Sequence, residues 1–323
     1  KKYQLSSSSL PIKIESLLKK SLNIKLSMMK KQFIITSFAI MTMSLGFSQA
    51  NILNAKSPQE IGVKTDAQLA LDNDKPLEYG YVDDRDILYS RMTWEKVVLD
   101  ERVNFPLYYP IDTNNIGSNR RSLFDVLMSN VKSGAIRNIY DDSYFNTKRT
   151  LKDIEASMVM IDTTELGIEQ LNAGEALSPE YINRRDITAA DIVEYRIKGL
   201  WYFDKRLSEL KYRLLGIAPV APDVNFMDTD KPDLVELFWV FFPDSREALH
   251  NAKTFNKKNS AIPLSFDHVL NSRRFNGYVY QEENVQGDRK ISEYISDNAL
   301  MQLLESDRVK DKIRNFEMDM WSY

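Results

Sequence analysis

Glu194-Tyr-Arg-Ile-Lys-Gly-Leu-Trp-Tyr-Phe-Asp204 and, after a short break, Glu209-Leu-Lys-Tyr-Arg-Leu-Leu-Gly-Ile217 carry the strongest β signal in this chain. In an extended backbone, Val193, Tyr195, Ile197, Trp201 and Phe203 fall on one side, and Glu194, Arg196, Lys198 and Asp204 on the other. The turn falls at Asp204 to Arg206. On the return, Leu210, Tyr212 and Leu214 alternate with Glu209, Lys211 and Arg213. This period of two predicts an antiparallel hairpin with one wet face.

Towards the C-terminus, Leu234 to Phe242 is apolar on both faces and predicts one central strand covered on each side. Pro243 then opens a helix through about Ala252. Ser265 caps a second helix that turns Phe266, Val269 and Leu270 inward, and Tyr278 to Gln281 reads as a further strand. Helical spacing returns from Ile291, with one helix over Asn298 to Glu305. A last helix, capped by Ser306-Asp307, carries Val309, Ile313, Phe316 and Met320. Towards the N-terminus, Met92 to Leu99 alternates like a strand, and Asn104 to Pro110 reads as an extended, Pro-bounded aromatic run. Ser122 caps a helix through Lys132 closed by Gly134, and Leu151 to Ser157 reads as another helical stretch. Residues 161–190 are polar and read as a connection. The pattern predicts an α+β fold, an antiparallel sheet with flanking helices, in two lobes over 81–160 and 191–323.

Ahead of the first lobe lies a targeting signal. Lys30 and Lys31 precede Phe33 to Phe47, an uncharged apolar run, and Ser48-Gln49-Ala50 puts small residues before a cleavage point between Ala50 and Asn51. That order over 29–50 is the order of a secretory signal peptide, and the run is shorter than the roughly 20 residues a membrane span needs. Residues 1–28 precede the candidate start methionines Met28 and Met29 and read as an upstream extension. Residues 51–80 read as a flexible leader.

Residues 1–50 hold eight Lys and one acid, Glu15. The remainder keeps 35 of the 43 basic and 45 of the 46 acidic residues, a net charge near −10. Such a surface repels phosphate backbones and anionic lipid, so neither a nucleic acid nor a membrane surface is an expected partner. The chain has no Cys, which excludes disulfides, thiolate metal sites, a Cys nucleophile and lipidation at a lipobox. There is no GxSxG elbow, phosphate-binding loop or dinucleotide fingerprint. His250 and His268, the only histidines, lack the spacing of a helical metal site and read as surface or packing residues. Asp72-Asn-Asp74 and Asp83-Asp-Arg-Asp86 lack the register of a calcium loop. No catalytic, cofactor or metal residue is therefore expected. Trp201 and Trp239 read as core, Trp94 and the Phe105 to Pro110 run as less buried.

Five blocks carry a family resemblance: Asn104-Phe-Pro-Leu-Tyr-Tyr-Pro110, Glu236-Leu-Phe-Trp-Val-Phe-Phe-Pro-Asp244, Ser265-Phe-Asp267 with Arg273-Arg-Phe275, Asp288-Arg-Lys-Ile-Ser-Glu-Tyr-Ile295, and Phe316-Glu-Met-Asp-Met-Trp321. In this order they resemble the gliding-motility family GldN, called PorN in non-gliding relatives. The resemblance implies a non-catalytic periplasmic component of the type IX secretion system of Bacteroidetes. It would assemble into a ring with an outer-membrane lipoprotein, GldK or PorK, and so associate with the outer membrane, supporting secretion and gliding. Closing a ring head to tail requires two different surface patches on each subunit. The residues expected to supply them are Phe105, Tyr108 and Tyr109 with Arg120 and Arg121, and the C-terminal Trp321 and Tyr323. Two other readings stand beside this one: a hydrolase using a carboxylate pair, and a glycan- or peptidoglycan-binding protein using Trp94 and the tyrosines.

Overall fold

The hairpin forms the centre of the molecule. In the computed structural model, strand β5 (Glu194–Asp204) pairs antiparallel with strand β6 (Glu209–Pro222), with Asp204 opposite Glu209 and Glu194 opposite Val220. The structure describes residues 57, 66–71, 74–112, 120–174, 178–226, 229, 232–257, 259, 264–296 and 298–321. Residues 1–72 and 73–323 form separate units. The described part of the first is Ser57 and helix α1 (Asp66–Leu71). The described part of the second, within 74–321, carries the sheets and the other helices. The upstream extension, the signal peptide with Ala50 and Asn51, most of the leader, and Tyr323 lie outside the described residues.

Strand β1 (Ile87–Val98) pairs along the whole outer side of β5, from Ile87 opposite Asp204 to Val98 opposite Glu194. Strand β2 (Ile139–Tyr140) lies at the far edge. The hairpin β3 (Val159–Thr163) and β4 (Ile182–Asp186) forms a separate two-stranded sheet. Strands β7 (Leu234–Glu236) and β8 (Trp239–Phe241) pair with β6. A small pair, β9 (Lys253–Thr254) and β10 (Leu264–Ser265), precedes the last strand, β11 (Tyr278–Glu282). The main sheet runs β11-β1-β5-β6-β8-β2, with β7 attached to β6. The fold is α+β, as expected. However, β1 and β2 from the first predicted lobe sit among strands of the second, so 161–190 does not separate two lobes of the sheet. That segment instead builds the β3–β4 hairpin around a helix (Glu165–Asn172).

The helices are α2 (Phe105–Tyr108), α3 (Leu123–Lys132), α4 (Leu151–Met158), α5 (Glu165–Asn172), α6 (Phe242–Asn251), α7 (Phe266–Asn271), α8 (Ile291–Tyr294) and α9 (Ala299–Trp321). Their starts follow local chemistry. Ser122 and Ser265 accept from the backbone N–H of Asp125 and His268, Thr150 and Asp153 form a capping box, and Pro243 occupies the first turn of α6. Helices α3, α6 and α7 bury Leu123, Leu127, Phe242, Leu249, Phe266 and Leu270 against one face of the sheet, where Val97, Tyr195, Ile197, Leu214 and Ile217 project.

Three expectations need correction. Leu234 to Phe242 forms two short strands, not one. Pro219 of β6 accepts from the Leu237 N–H at 3.0 Å but has no N–H to return, so the ladder breaks at Leu237-Phe238. Asn298 to Trp321 holds one continuous helix, because the Ser306 hydroxyl accepts from Val279 N–H of β11 (2.8 Å) and caps nothing. The wet face of the hairpin is covered over Glu194 to Lys198, where Glu194 and Lys198 are each 6% exposed, while Glu209 at the turn end stays exposed. Arg196 pairs with Glu194 and Glu236, and the Lys198 ammonium donates to Ser143 O at 2.8 Å under the rings of Trp94, Tyr144 and Phe145. Alternation records which side chains are polar; it does not record whether a second layer covers them.

The described end of the predicted leader is pinned. Tyr79 lies between the guanidinium groups of Arg213 and Arg246, 4.4 and 4.1 Å from its ring, and donates to Asn271 Oδ1 at 2.8 Å. Arg213 and Arg206 hold the carbonyls of Gly80 and Tyr81, and Asp74 pairs with His250 and Lys253.

Candidate functional site

Strand β1 ends at Val98, and the chain returns at Asn104, whose buried side chain fixes the next turn. Asn104 Nδ2 donates to Val98 O (2.7 Å) and Asn276 O (3.0 Å), and its Oδ1 accepts from Asn276 N–H (2.8 Å). The aromatic run after it is therefore not extended. Pro106, suited to a first helical turn, lets 105–108 close into α2. Leu107 points into the core, and Phe105 and Tyr109 meet edge to face at 5.4 Å.

Around this turn lies a cup of about 350 Å³ lined by Phe105, Pro106, Tyr109, Pro110, Arg120, Phe255 and Lys257. The Arg120 guanidinium sits 5.2 Å over the Phe255 ring, and the Lys257 ammonium donates to Arg102 O at 2.6 Å. The structure thus brings together Phe105, Tyr109 and Arg120 of the expected patch. Tyr108 instead packs against the core and donates to Ala190 O (3.0 Å), and Arg121 turns its guanidinium onto Arg120 O (3.0 Å). Sequence reasoning missed Phe255 and Lys257. They reach the cup because Arg120 forms an isolated parallel bridge with Lys253, a long-range contact with no local signal.

The second expected patch is the end of α9. Its inward face is anchored: Phe316 stacks on Tyr89 at 4.2 Å and meets Phe203 edge-on, and Glu317 Oε1 accepts from Leu210 N–H at 3.3 Å. Beyond that anchor Trp321 is 67% exposed and Met318 56%, with the exposed Asp319 between them. The two patches lie at opposite ends of the sheet. The cup follows Val98, opposite Glu194, while the α9 anchor rests on Tyr89, opposite Phe203. Nine residues of strand separate these points, about 30 Å at ~3.3 Å per residue.

Charged groups inside the molecule are otherwise engaged. Glu95, 1% exposed, accepts from Arg273 at 2.7 Å, and that guanidinium packs on Tyr212 at 4.1 Å and Trp201 at 5.0 Å. Burial pushes the Tyr212 hydroxyl well above the ordinary tyrosine range. It also lowers Lys198, against the opposing pull of Asp288, Asp142 and Glu283. Trp94, expected to be less buried, is 1% exposed beside its cross-strand partner Lys198 and offers no ring face to a sugar. A groove of about 530 Å³ runs between the sheet and α8–α9, lined by Lys96, Glu194, Arg196, Tyr278, Tyr280, Lys290 and Gln302 among others. Its most buried ions, Glu194 and Arg196, are already paired.

His250 bonds Asp74 at 2.9 Å, and His268 is exposed on α7. Asp83 caps its own turn by accepting from Arg85 N–H, and Asp86 pairs with Arg206. Among the described residues, no group of three or more His, Asp or Glu is arranged to hold a metal ion, and no helix is long and apolar enough to cross a membrane.

A comparison with curated proteins finds no match. A family model described as "Gliding motility associated protein GldN" matches residues 82–322, from the start of β1 to the end of α9. The match covers every block quoted from the sequence and the whole main sheet, and the chain belongs to the GldN family of gliding motility associated proteins.

Proposed function

We propose that this protein is a non-catalytic structural subunit of the periplasmic ring of the type IX secretion system. In this reading it supports protein secretion and gliding together with an outer-membrane lipoprotein of the GldK/PorK type. Family membership supplies the gliding role. The observation that supports an assembly role is the pair of unlike surfaces at the two ends of one sheet, a basic aromatic cup and an acidic aromatic helix tip. A rigid body with a different patch at each end is what a head-to-tail ring requires. The buried ions favour the same reading, because each is spent on another part of the fold. Export through the signal peptide would place the mature chain in the periplasm, held at the outer membrane by its lipoprotein partner.

Affinity purification of the tagged full chain from envelope membranes tests this. The expected result is a stoichiometric complex with a lipoprotein, visible as rings by electron microscopy. Glycan turnover that disappears on changing one carboxylate would favour a hydrolase instead. Saturable murein binding without turnover would favour a wall-binding module.

A further inference from the structure

We infer that the cup at Phe105–Pro110 receives the tip of α9, Glu317 to Trp321, from a second copy of this chain. The inference rests on the assembly reading above and assigns its contact. Three features of the cup match the tip. Its walls are aromatic, from Phe105, Tyr109 and Phe255, and Arg120 and Lys257 supply positive charge. The tip offers the complement: an exposed indole on Trp321, the Asp319 carboxylate on the exposed side of the helix, and the negative end of a 23-residue helix dipole. An indole between aromatic walls and beside a guanidinium gains both apolar burial and cation–π attraction.

The contact cannot form within one chain. Phe316 fixes the base of the tip on Tyr89, and the cup lies about 30 Å away along β1. Trp321 is only five residues beyond Phe316, about 7.5 Å of helix, and it extends past the hairpin end, away from the cup. Docking therefore links one copy to the next and leaves a cup free at one end and a tip free at the other. Such a contact is heterologous and closes into a ring when the rotation per subunit permits.

The absence of native Cys makes the test clean. Full chains carrying Tyr109→Cys and Met318→Cys are prepared separately, then mixed under mild oxidation, with sedimentation of the wild-type chain run in parallel. The expected result is a disulfide-linked dimer in the mixture and none from either chain alone. Adding Trp321→Ala to the Met318→Cys chain should lower the dimer yield at least tenfold. Lys257→Glu should weaken it, and Asp319→Lys in the partner should restore it. A wild-type chain that self-associates while the mixed Cys chains stay unlinked overturns the docking but leaves the assembly reading standing. Linkage unaffected by Trp321→Ala, or linkage of Tyr109→Cys to a different envelope protein, overturns the docking in the same way. A wild-type chain that remains monomeric with its lipoprotein partner present overturns both.

Discussion

The middle of the sheet and its two ends use the same kinds of side chain for opposite purposes. In the middle, Lys198 lies under Trp94, Tyr144 and Phe145, and Arg273 packs on the touching rings of Tyr212 and Trp201 while bonding Glu95. At the ends, Arg120 sits over Phe255 in an open cup, and Trp321 stands exposed on a helix tip. A cation on a ring is thus not in itself a binding feature in this molecule. What distinguishes the regions is whether the rings are covered: Trp94 is 1% exposed, whereas Trp321 is 67% exposed. Central substitutions should therefore destabilise the fold, and end substitutions should leave it intact.

The largest expected effect is at the centre. Trp94→Ala removes a fully buried indole and the cover over Lys198, and should cost about 4 kcal/mol in denaturant unfolding. Glu95→Ala strands the largely covered Arg273 guanidinium and should cost about 3 kcal/mol. Changing Lys198→Met sharpens the point: an apolar residue of similar length under the same rings should be near neutral, within ~1 kcal/mol. Gly199→Ala is next, at about 2 kcal/mol by overpacking. Gly199 lies opposite Leu214 where β5–β6 shifts register, and an added Cβ would stand 2.0 Å from the Tyr212 hydroxyl oxygen.

A smaller effect is expected at the pinned end of the leader, residues 74–81. Burial alone would raise the Asp74 carboxyl, but Lys253 and His250 together hold it below its ordinary value. A carboxylate lowered in the folded state stabilises above its unfolded pKa, about 3.9, and loses that contribution as pH falls through the folded value. Docking of residues 74–81 should loosen as pH falls below about 4, by less than ~1 kcal/mol because Asp74 is half exposed. Proteolytic cleavage between Asp74 and Tyr81, followed against pH, reads this directly.

Much of the fold was legible in the sequence because it is written locally. Period-two alternation located β1, β5 and β6, and Ser122, Ser265 and Pro243 marked helix starts. The family blocks, quoted from 104 to 321, fall within the matched span. What failed depends on partners distant in sequence. Nothing within Leu234–Phe242 shows that Pro219 opposite will break its ladder. Ser306 reads as a cap until β11 is seen to need its hydroxyl. The polar side of the hairpin reads as wet because its cover, Tyr144 and Phe145, comes from a loop some 50 residues earlier. The same limit applies to the cup: Phe105, Tyr109 and Arg120 were legible as an aromatic and basic patch, but Phe255 and Lys257 arrive by tertiary contact. Tyr108 meets Tyr109 edge-on at 4.8 Å yet leans onto the core and spends its hydroxyl on Ala190 O, a placement set by the helical turn at 105–108.

The central claim is that this chain works through the aromatic surfaces its fold leaves exposed at the two ends of its sheet. The most direct test pairs thermal unfolding with recovery of the chain in the proposed envelope complex for the double variant Tyr109→Ala, Trp321→Ala. The account predicts a midpoint shifted by no more than a few degrees, about 1 kcal/mol and mostly from the lost Tyr109 ring contacts, together with loss of the chain from the complex. A variant that stays fully incorporated, or that melts as early as Trp94→Ala, would contradict it.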